Sequence, residues 1–230
     1  MLIKMKGQIV PLSKEEMSAI MFEIEKSDDF DYMLFLTLKT TGRRIGELFG
    51  VEEKKLIGRK VIGHRRIYIK GRPYKIDRTI PQYKLSNKWL YGVQVKDLDL
   101  EKGTMKVWVL KRRNQVQDET ILTPELVRII SSYINRHRLK LTDHLFRKEG
   151  RGMRSIRGVI KRYAEKAGVT HPVTIHNFRH YFITELKRKG WSNDMIVKLT
   201  GHKTTQTLSI YDHIVAYDIR EKALEAIKDL

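Results

Sequence analysis

The stretch TIHNFRHYFITELKRKGWSNDMIVKLTGHKTTQTLSIY, residues 174–211, decides how the chain is read. Ile175, Phe178, Phe182 and Leu186 recur at helical spacing, which predicts an amphipathic helix capped by Thr174 and carrying His176 and Arg179. Ser192-Asn193-Asp194 predicts a second helix start, ended at Gly201 by a left-handed cap, so that His202 follows a helix end. A further short helix at 207–212 bears Tyr211. Met195 and the apolar residues around it are expected in the core. His180 is expected to be structural, on another helical face from His176.

Upstream, Leu12-Ser13-Lys14-Glu15-Glu16-Met17 combines a Ser13/Glu16 capping box with a Leu12/Met17 staple and opens a helix to about Lys26. A second helix centred on 33–39 breaks at Thr41-Gly42, and a third begins near Arg43 with Ile45 and Leu48 facing inward. Arg44 and Glu47 stand three apart on that turn, where the carboxylate can orient the guanidinium. Strands are expected at 93–100, 105–110 and 119–122, with Lys111, Arg112 and Arg113 in a basic turn. Thr123-Pro124 starts a helix to about Arg138 with Leu126, Ile129, Ile130 and Ile134 inside. Another helix spans 155–166, and a terminal amphipathic one near 218–227 would pack in cis or on a neighbouring subunit.

Residues 52–90 differ in character, with 12 Lys and Arg against three Asp and Glu. Their centre, RRIYIKGRPYKIDRTI at 65–80, alternates basic with apolar or aromatic residues about a Gly71-Arg72-Pro73 turn, which predicts a β-hairpin with one basic face. Arg65, Arg66, Lys70, Arg72 and Lys75 are its candidate phosphate contacts, together with Arg112 and Arg113 of the later turn. An exposed hairpin guarded by edge lysines is the plainer alternative.

The whole chain, 230 residues with 46 Lys and Arg against 27 Asp and Glu, carries +19, which suits a polyanionic partner such as nucleic acid better than a small metabolite. The absence of cysteine excludes disulfides, thiolate nucleophiles and cysteine-bound zinc. There is no apolar run of about 18 residues and no signal segment, so a cytoplasmic, DNA-associated location without membrane contact is expected. Neither GxGxxG nor GxxxxGK[ST] occurs. His176 and His180 enclose NFR, which lacks the carboxylate of a zinc hydrolase, and no two-metal acidic cluster is evident. No cofactor and no metal are expected.

Two arginines, two histidines and a tyrosine can hold and attack one phosphodiester. A tyrosine with a reference pKa near 10 is a poor nucleophile unless charge and protons are managed for it. Arg44 and Arg179 can fork onto the nonbridging oxygens, and His202 can donate to them. His176 can accept a proton or bind phosphate, and a lysine in the basic turn, best Lys111, can protonate the leaving 5′-oxygen. Lys106 is a further candidate.

Taken together, TGRRIGEL at 41–48, HNFRH at 176–180 and Gly201-His202 with Tyr211 nine residues on resemble the three boxes of the tyrosine recombinases, the phage-integrase and Xer-like family. The resemblance covers about residues 12–225. It implies an α+β fold, a mainly helical catalytic domain with a small antiparallel sheet, in which Arg44, Lys111, His176, Arg179 and His202 surround the scissile phosphate, Glu47 supports Arg44, and Tyr211 attacks. It further implies a 3′-phosphotyrosyl intermediate, double-stranded DNA as partner, and a homotetramer on paired sites passing through a Holliday junction, formed from a chain that is monomeric when free. Against the family pattern, the basic hairpin at 52–90 reads as an insert in a catalytic domain spanning 1–230, and the usual preceding helical DNA-binding domain is expected to be absent. Type IB topoisomerase-like relaxation and a non-catalytic DNA-binding accessory role are the alternatives.

Overall fold

A computed structural model of the chain describes residues 11–109, 116–149, 152–202 and 204–212. The expected basic turn at 111–113, with Lys111, Arg112 and Arg113, and the terminal helix at 218–227 lie outside these residues. The chain divides into two compact units, Gly50–Tyr91 and the sequence on either side of it.

The larger unit is mainly helical. Helix α1 (Lys14–Glu25) starts at the expected capping box: the Glu16 amide donates to Ser13 Oγ over 3.1 Å and the Ser13 amide to Glu16 Oε2 over 2.9 Å. Helix α2 (Asp29–Thr41) is capped by Asp28, whose carboxylate accepts from the Phe30 and Asp31 amides, and ends at Gly42 with φ +61°. The short α3 (Ile45–Phe49) follows, with Ile45 and Leu48 buried.

In the smaller unit β1 (Val51–Ile69) pairs antiparallel with β2 (Arg72–Leu90). The turn is Lys70-Gly71, one residue earlier than the sequence suggests, with φ +47° and +74°. A two-residue hairpin turn of this hand needs positive φ at both central positions, which Gly71 adopts freely. Pro73, fixed near −65°, is displaced onto the strand opposite Tyr68.

The register also corrects the expectation of one basic face. Side chains alternate with period two, so the adjacent Arg65 and Arg66 point to opposite sides. Arg65 pairs with Ile76 and Arg66 with Lys75. One face carries Arg65, Arg72 and Arg78 among Ile67, Ile69, Tyr74 and Ile76; the other carries Arg59, Arg66 and Lys75 beside a His64–Asp77 pair at 2.6 Å.

Back in the larger unit, the expected strand at 93–100 shrinks to β3 (Leu98–Asp99), preceded by a 3-10 turn at Val95–Asp97. Asp97 Oδ2 captures the Gln94 amide at 2.8 Å, and Val93 and Val95 bond to Leu145 and Asp143 in an isolated antiparallel bridge between Gln94 and His144 instead of to β4. β4 (Thr104–Val109) pairs antiparallel with β3 and with β5 (Val116–Ile121), which begins three residues earlier than expected.

Helix α4 (Pro124–His137) has Thr123 as cap and Pro124 in its first turn, with Leu126, Ile130 and Tyr133 buried. Ile129 and Ile134 are half-buried at its edge. α5 (Met153–Lys166), α6 (Ile175–Arg188) and α7 (Asn193–Thr200) follow, then a 3-10 helix at Thr205–Tyr211. Phe35 of α2 joins α5 and α6 through ring contacts at 6.4 Å to Tyr163 and 5.2 Å to Phe178.

A small second core consists of Ile183, Ile196, Leu208 and Tyr211. Met195, expected inside, is 50% exposed while Ile196 is fully buried. The inward face of α7 is set by the four-residue spacing of Ile196 and Thr200, which leaves Met195 a quarter turn off.

Gly42 joins these layers. A Cβ there would collide with the Phe182 ring, and its positive φ disfavours any larger residue. Gly42→Ala is expected to destabilise the fold by about 2–5 kcal/mol, the sum of left-handed strain and overpacking. A urea midpoint within experimental error of the wild-type value would contradict that packing.

Candidate active site

The site forms where α6 meets the end of α2, the start of α3 and the end of α7. Arg179 is 5% exposed. Its Nη1 donates to the Gly42 carbonyl over 2.6 Å, and its Nη2 donates to the Thr200 carbonyl over 2.9 Å. Nη2 also stands 3.0 Å from His202 Nδ1 and 2.9 Å from Nε2. One guanidinium therefore ties together the C-caps of α2 and α7 and the histidine beyond the second. Those carbonyls are open to it because a helix end leaves its last acceptors without intrahelical donors.

Proton counting at Thr200 bears on the histidine's form. Thr200 Oγ1 lies 2.6 Å from the Ile196 carbonyl, which can only accept, and 2.5 Å from His202 Nδ1. The hydroxyl's single proton goes to the carbonyl, which favours the tautomer with Nδ1–H directed at Oγ1, while Arg179 Nη2 stands almost equally near both ring nitrogens. Protonation of Nε2 would turn it into a donor for an anion.

Arg44 stands at the head of α3. Its Nη1 donates to Glu47 Oε1 over 2.9 Å, while its amide donates to Glu47 Oε2 over 3.1 Å. Glu47 is 1% exposed, so the expected pairing is a buried carboxylate holding a partly exposed guanidinium in place. Burial foremost, and then the neighbouring Arg44 charge, push Arg179 down to about 9, against the pull of Glu47 and Tyr211. Two cations that disfavour each other make a place whose charge a phosphate would balance.

Two side chains that sequence reading passed over belong to this region. Arg43 is 1% exposed; its Nη2 donates to Asp118 Oδ2 over 2.9 Å and to the Glu119 carbonyl over 3.2 Å, fastening β5 beside the α2–α3 junction. A Cβ on Gly201 would approach Arg43 Nη1 to 3.0 Å, so the glycine of the Gly-His pair makes room for this second buried guanidinium.

The other is His180. Its Nδ1 lies 2.5 Å from Tyr211 Oη, so the residue set aside as structural is the one that touches the tyrosine hydroxyl. The expected difference of face was wrong. At about 100° per residue, a position four along lies about 40° from His176, nearer than Arg179 at about 60°. The two histidine rings are 6.4 Å apart, and His176 itself is exposed.

Tyr211 is 2% exposed, and burial raises it to about 12, with the Arg179 charge acting in the opposite direction. Lys187 of α6 forms an ion pair with Asp212, the next residue. Arg147 donates from Nε to the Phe49 carbonyl over 2.9 Å and secures the end of α3.

Burial, then the charges of His176 and Arg179, hold His180 neutral down to about 4, against an ordinary 6.5. Between these values the unfolded chain binds the extra proton, so this contribution to stability is present above pH 6.5 and is lost as pH falls toward 4. His180→Asn should therefore weaken the dependence of stability on acidity, seen as a smaller fall in urea midpoint between about pH 7 and about pH 4.5 than in wild type. Equal falls would contradict a buried neutral ring.

Residues 88–216, more than half of the chain, match the Phage integrase family. Tyrosine recombinase XerA of Pyrococcus furiosus is 30% identical over 139 residues, covering 57% of this chain and 46% of that protein. XerA of Saccharolobus solfataricus is 30% identical over 138 residues, 60% and 44% of the two chains. The chain thus spans about half the length of the curated relatives it matches. In fold it is similar to the crystal structure of XerA recombinase, with a TM-score of 0.67 at 22% identity, covering 98% of this chain and 66% of the other. It is also similar to XerH site-specific recombinase bound to a palindromic difH substrate, with a TM-score of 0.63 at 18% identity, covering 93% and 52%. Among the described residues, no helix is long and apolar enough to cross a membrane. With its boxes gathered around Arg179 and its sequence matched over most of the larger unit, the chain belongs to the phage integrase family of tyrosine recombinases.

Proposed function

We propose that this chain cleaves and rejoins double-stranded DNA in site-specific recombination, with Tyr211 as nucleophile. The observation that carries the reading is the meeting of Arg179, His202 and the α2–α3 junction bearing Arg44, with the Tyr211 hydroxyl held by His180, the residue next to Arg179. The tyrosine oxygen attacks phosphorus and gives up its proton to His176 or to water, the P–O5′ bond breaks, and a 3′-phosphotyrosyl linkage forms while the 5′-oxygen takes up a proton. Arg44, Arg179 and His202 stabilise the charge gathering on the nonbridging oxygens, and His176 serves as a further phosphate ligand or proton acceptor. Lys111 is assigned the proton for the leaving oxygen. The linkage conserves the energy of the broken bond, so a 5′-hydroxyl from a partner strand can reverse the step without added nucleotide. Two such rounds on paired sites, within a homotetramer and through a Holliday junction, complete an exchange.

The hairpin is assigned to DNA. Arg59, Arg65, Arg66, Lys70, Arg72, Lys75 and Arg78 are exposed, and they occupy both of its faces and its tip. This distribution suits a ribbon lying between two phosphate strands better than one resting flat on a single strand. In this reading Gly50–Tyr91 is an insert in the catalytic domain that supplies phosphate-binding side chains of its own.

Two measurements follow. A nicked duplex carrying a sequence selected by the protein from a randomised pool should yield a covalent adduct that Tyr211→Phe abolishes. Arg179→Ala or Arg44→Ala should slow it about 10²–10³-fold. Binding without an adduct would favour the accessory role, and relaxation of supercoiled DNA without strand exchange would favour the topoisomerase reading. Replacing Arg65, Arg66, Arg72 and Lys75 by Gln should make the salt dependence of duplex binding shallower by about 0.9 for each phosphate that is no longer neutralised. An unchanged slope would remove the hairpin from the interface.

A further inference from the structure

We propose that helix α6 holds the nucleophile at two points: His180 accepts the hydrogen bond of the Tyr211 hydroxyl, and Lys187 is a positioning residue that clamps Asp212, the residue after it. The inference rests on Tyr211 being the nucleophile and gives roles to His180, which has none assigned within its box, and to Lys187, which lies outside the boxes.

Geometry is the first support. His180 and Lys187 are seven residues, about two helical turns, apart and therefore lie on one face of α6. Between them on that face lie Ile183 and Thr184, both buried, and Ile183 packs in the same small core as Leu208 and the Tyr211 ring. The chain carrying Tyr211 is consequently fixed at the hydroxyl, by the ring and at the following side chain, all against a single rigid element. Asp212 is exposed while Lys187 is nearly buried, so the pair sets a solvated carboxylate against an ammonium largely withdrawn from water. Burying a long cationic stem costs free energy unless the ammonium is paired; here Asp212 pairs it.

Proton placement is the second. An imidazole nitrogen is a better acceptor than a phenolic oxygen, so the short 2.5 Å contact is read as O–H···Nδ1, with the ring hydrogen on Nε2. A ring kept neutral down to about 4 is a weak base toward a phenol near 12. The bond therefore directs the hydroxyl without ionising it. With the hydrogen turned toward α6, the oxygen lone pairs face away from that helix. Attack needs that orientation to be reproducible, because a displacement of about 1 Å in a reacting atom can cost about 10²-fold in rate.

The test has one arm without DNA and one with it. In the free protein, 15N spectra of the histidine rings should show His180 with Nδ1 unprotonated, and Tyr211→Phe should shift that nitrogen alone among the histidines near the site. A protonated Nδ1, or no response to Tyr211→Phe, overturns the hydrogen bond. With nicked duplex, His180→Phe should slow formation of the Tyr211 adduct about 100-fold at unchanged duplex affinity. His180→Asn, whose Oδ1 can stand in for Nδ1, should recover to within about tenfold of wild type. Lys187→Met should slow the step about tenfold, and Lys187→Arg should restore it. If His180→Asn is as slow as His180→Phe, the ring matters for packing alone and the proposal fails; so it does if His180→Phe keeps the wild-type rate. If wild-type protein gives no adduct at all, it is the assignment of Tyr211 that fails, and the 15N arm still decides whether the hydrogen bond exists.

Discussion

The arrangement depends on one buried cation. Arg179 gives hydrogens to two helix-end carbonyls and a histidine nitrogen, and those acceptors come from segments far apart in sequence. A guanidinium withdrawn from water loses its hydration, and the cap of α2, the cap of α7 and His202 replace that loss at Arg179. Both caps are glycine-ended with positive φ, which lets each helix stop sharply with carbonyls pointing at the arginine. Convergence also brings the Arg44 charge near, held by Glu47, and concentrates positive charge where the proposed reaction puts a phosphate. Arg43 works the opposite way from its neighbour. It turns inward to Asp118 and the Glu119 carbonyl, so that one dipeptide both fastens the sheet and faces the site.

Much of this could be read from the residues because it depends on local rules. Ser13 with Glu16, Thr123 with Pro124, and Gly201 after Thr200 mark helix ends by chemistry that needs no tertiary partner, and all three stand where those rules put them. Arg44 with Glu47 was legible for the same reason, being three apart on one turn. Side chains whose role depends on what packs opposite were not legible. Arg43 looks like a solvated surface charge until β5 is laid beside it. His180 touches Tyr211 only because the 3-10 helix at Thr205–Tyr211 folds back on α6, although its spacing from His176 did place both histidines on adjoining faces. Met195 and Ile196 are neighbours of similar apolarity, and the phase of α7 alone decides which goes inside. In the hairpin, alternation was recognised but its consequence for Arg65 and Arg66 was not, since consecutive residues in a strand cannot share a face.

The two units divide the work according to their physics. The larger one has a main core, a small second core and a buried charged centre, which suits a site that must hold angles and distances. Gly50–Tyr91 is a pair of long strands with tyrosines, isoleucines and cations exposed along it. Its ladder pairs the backbone and leaves the side chains on both faces exposed. In the proposed reading the surplus of lysine and arginine in it meets an anionic partner, and the exposed rings add surface that can lie against sugars. Precision is thereby kept in the helical unit and reach is given to the ribbon.

In the proposed reaction the tyrosine held on α6 beside Arg179 becomes linked to DNA. Peptide mapping by mass spectrometry of the adduct trapped on a nicked duplex tests that linkage most directly. A single modified peptide is expected, with the nucleotide remnant on Tyr211 through a 3′-phosphate. A remnant on any other residue, or one joined through a 5′-phosphate, would contradict it.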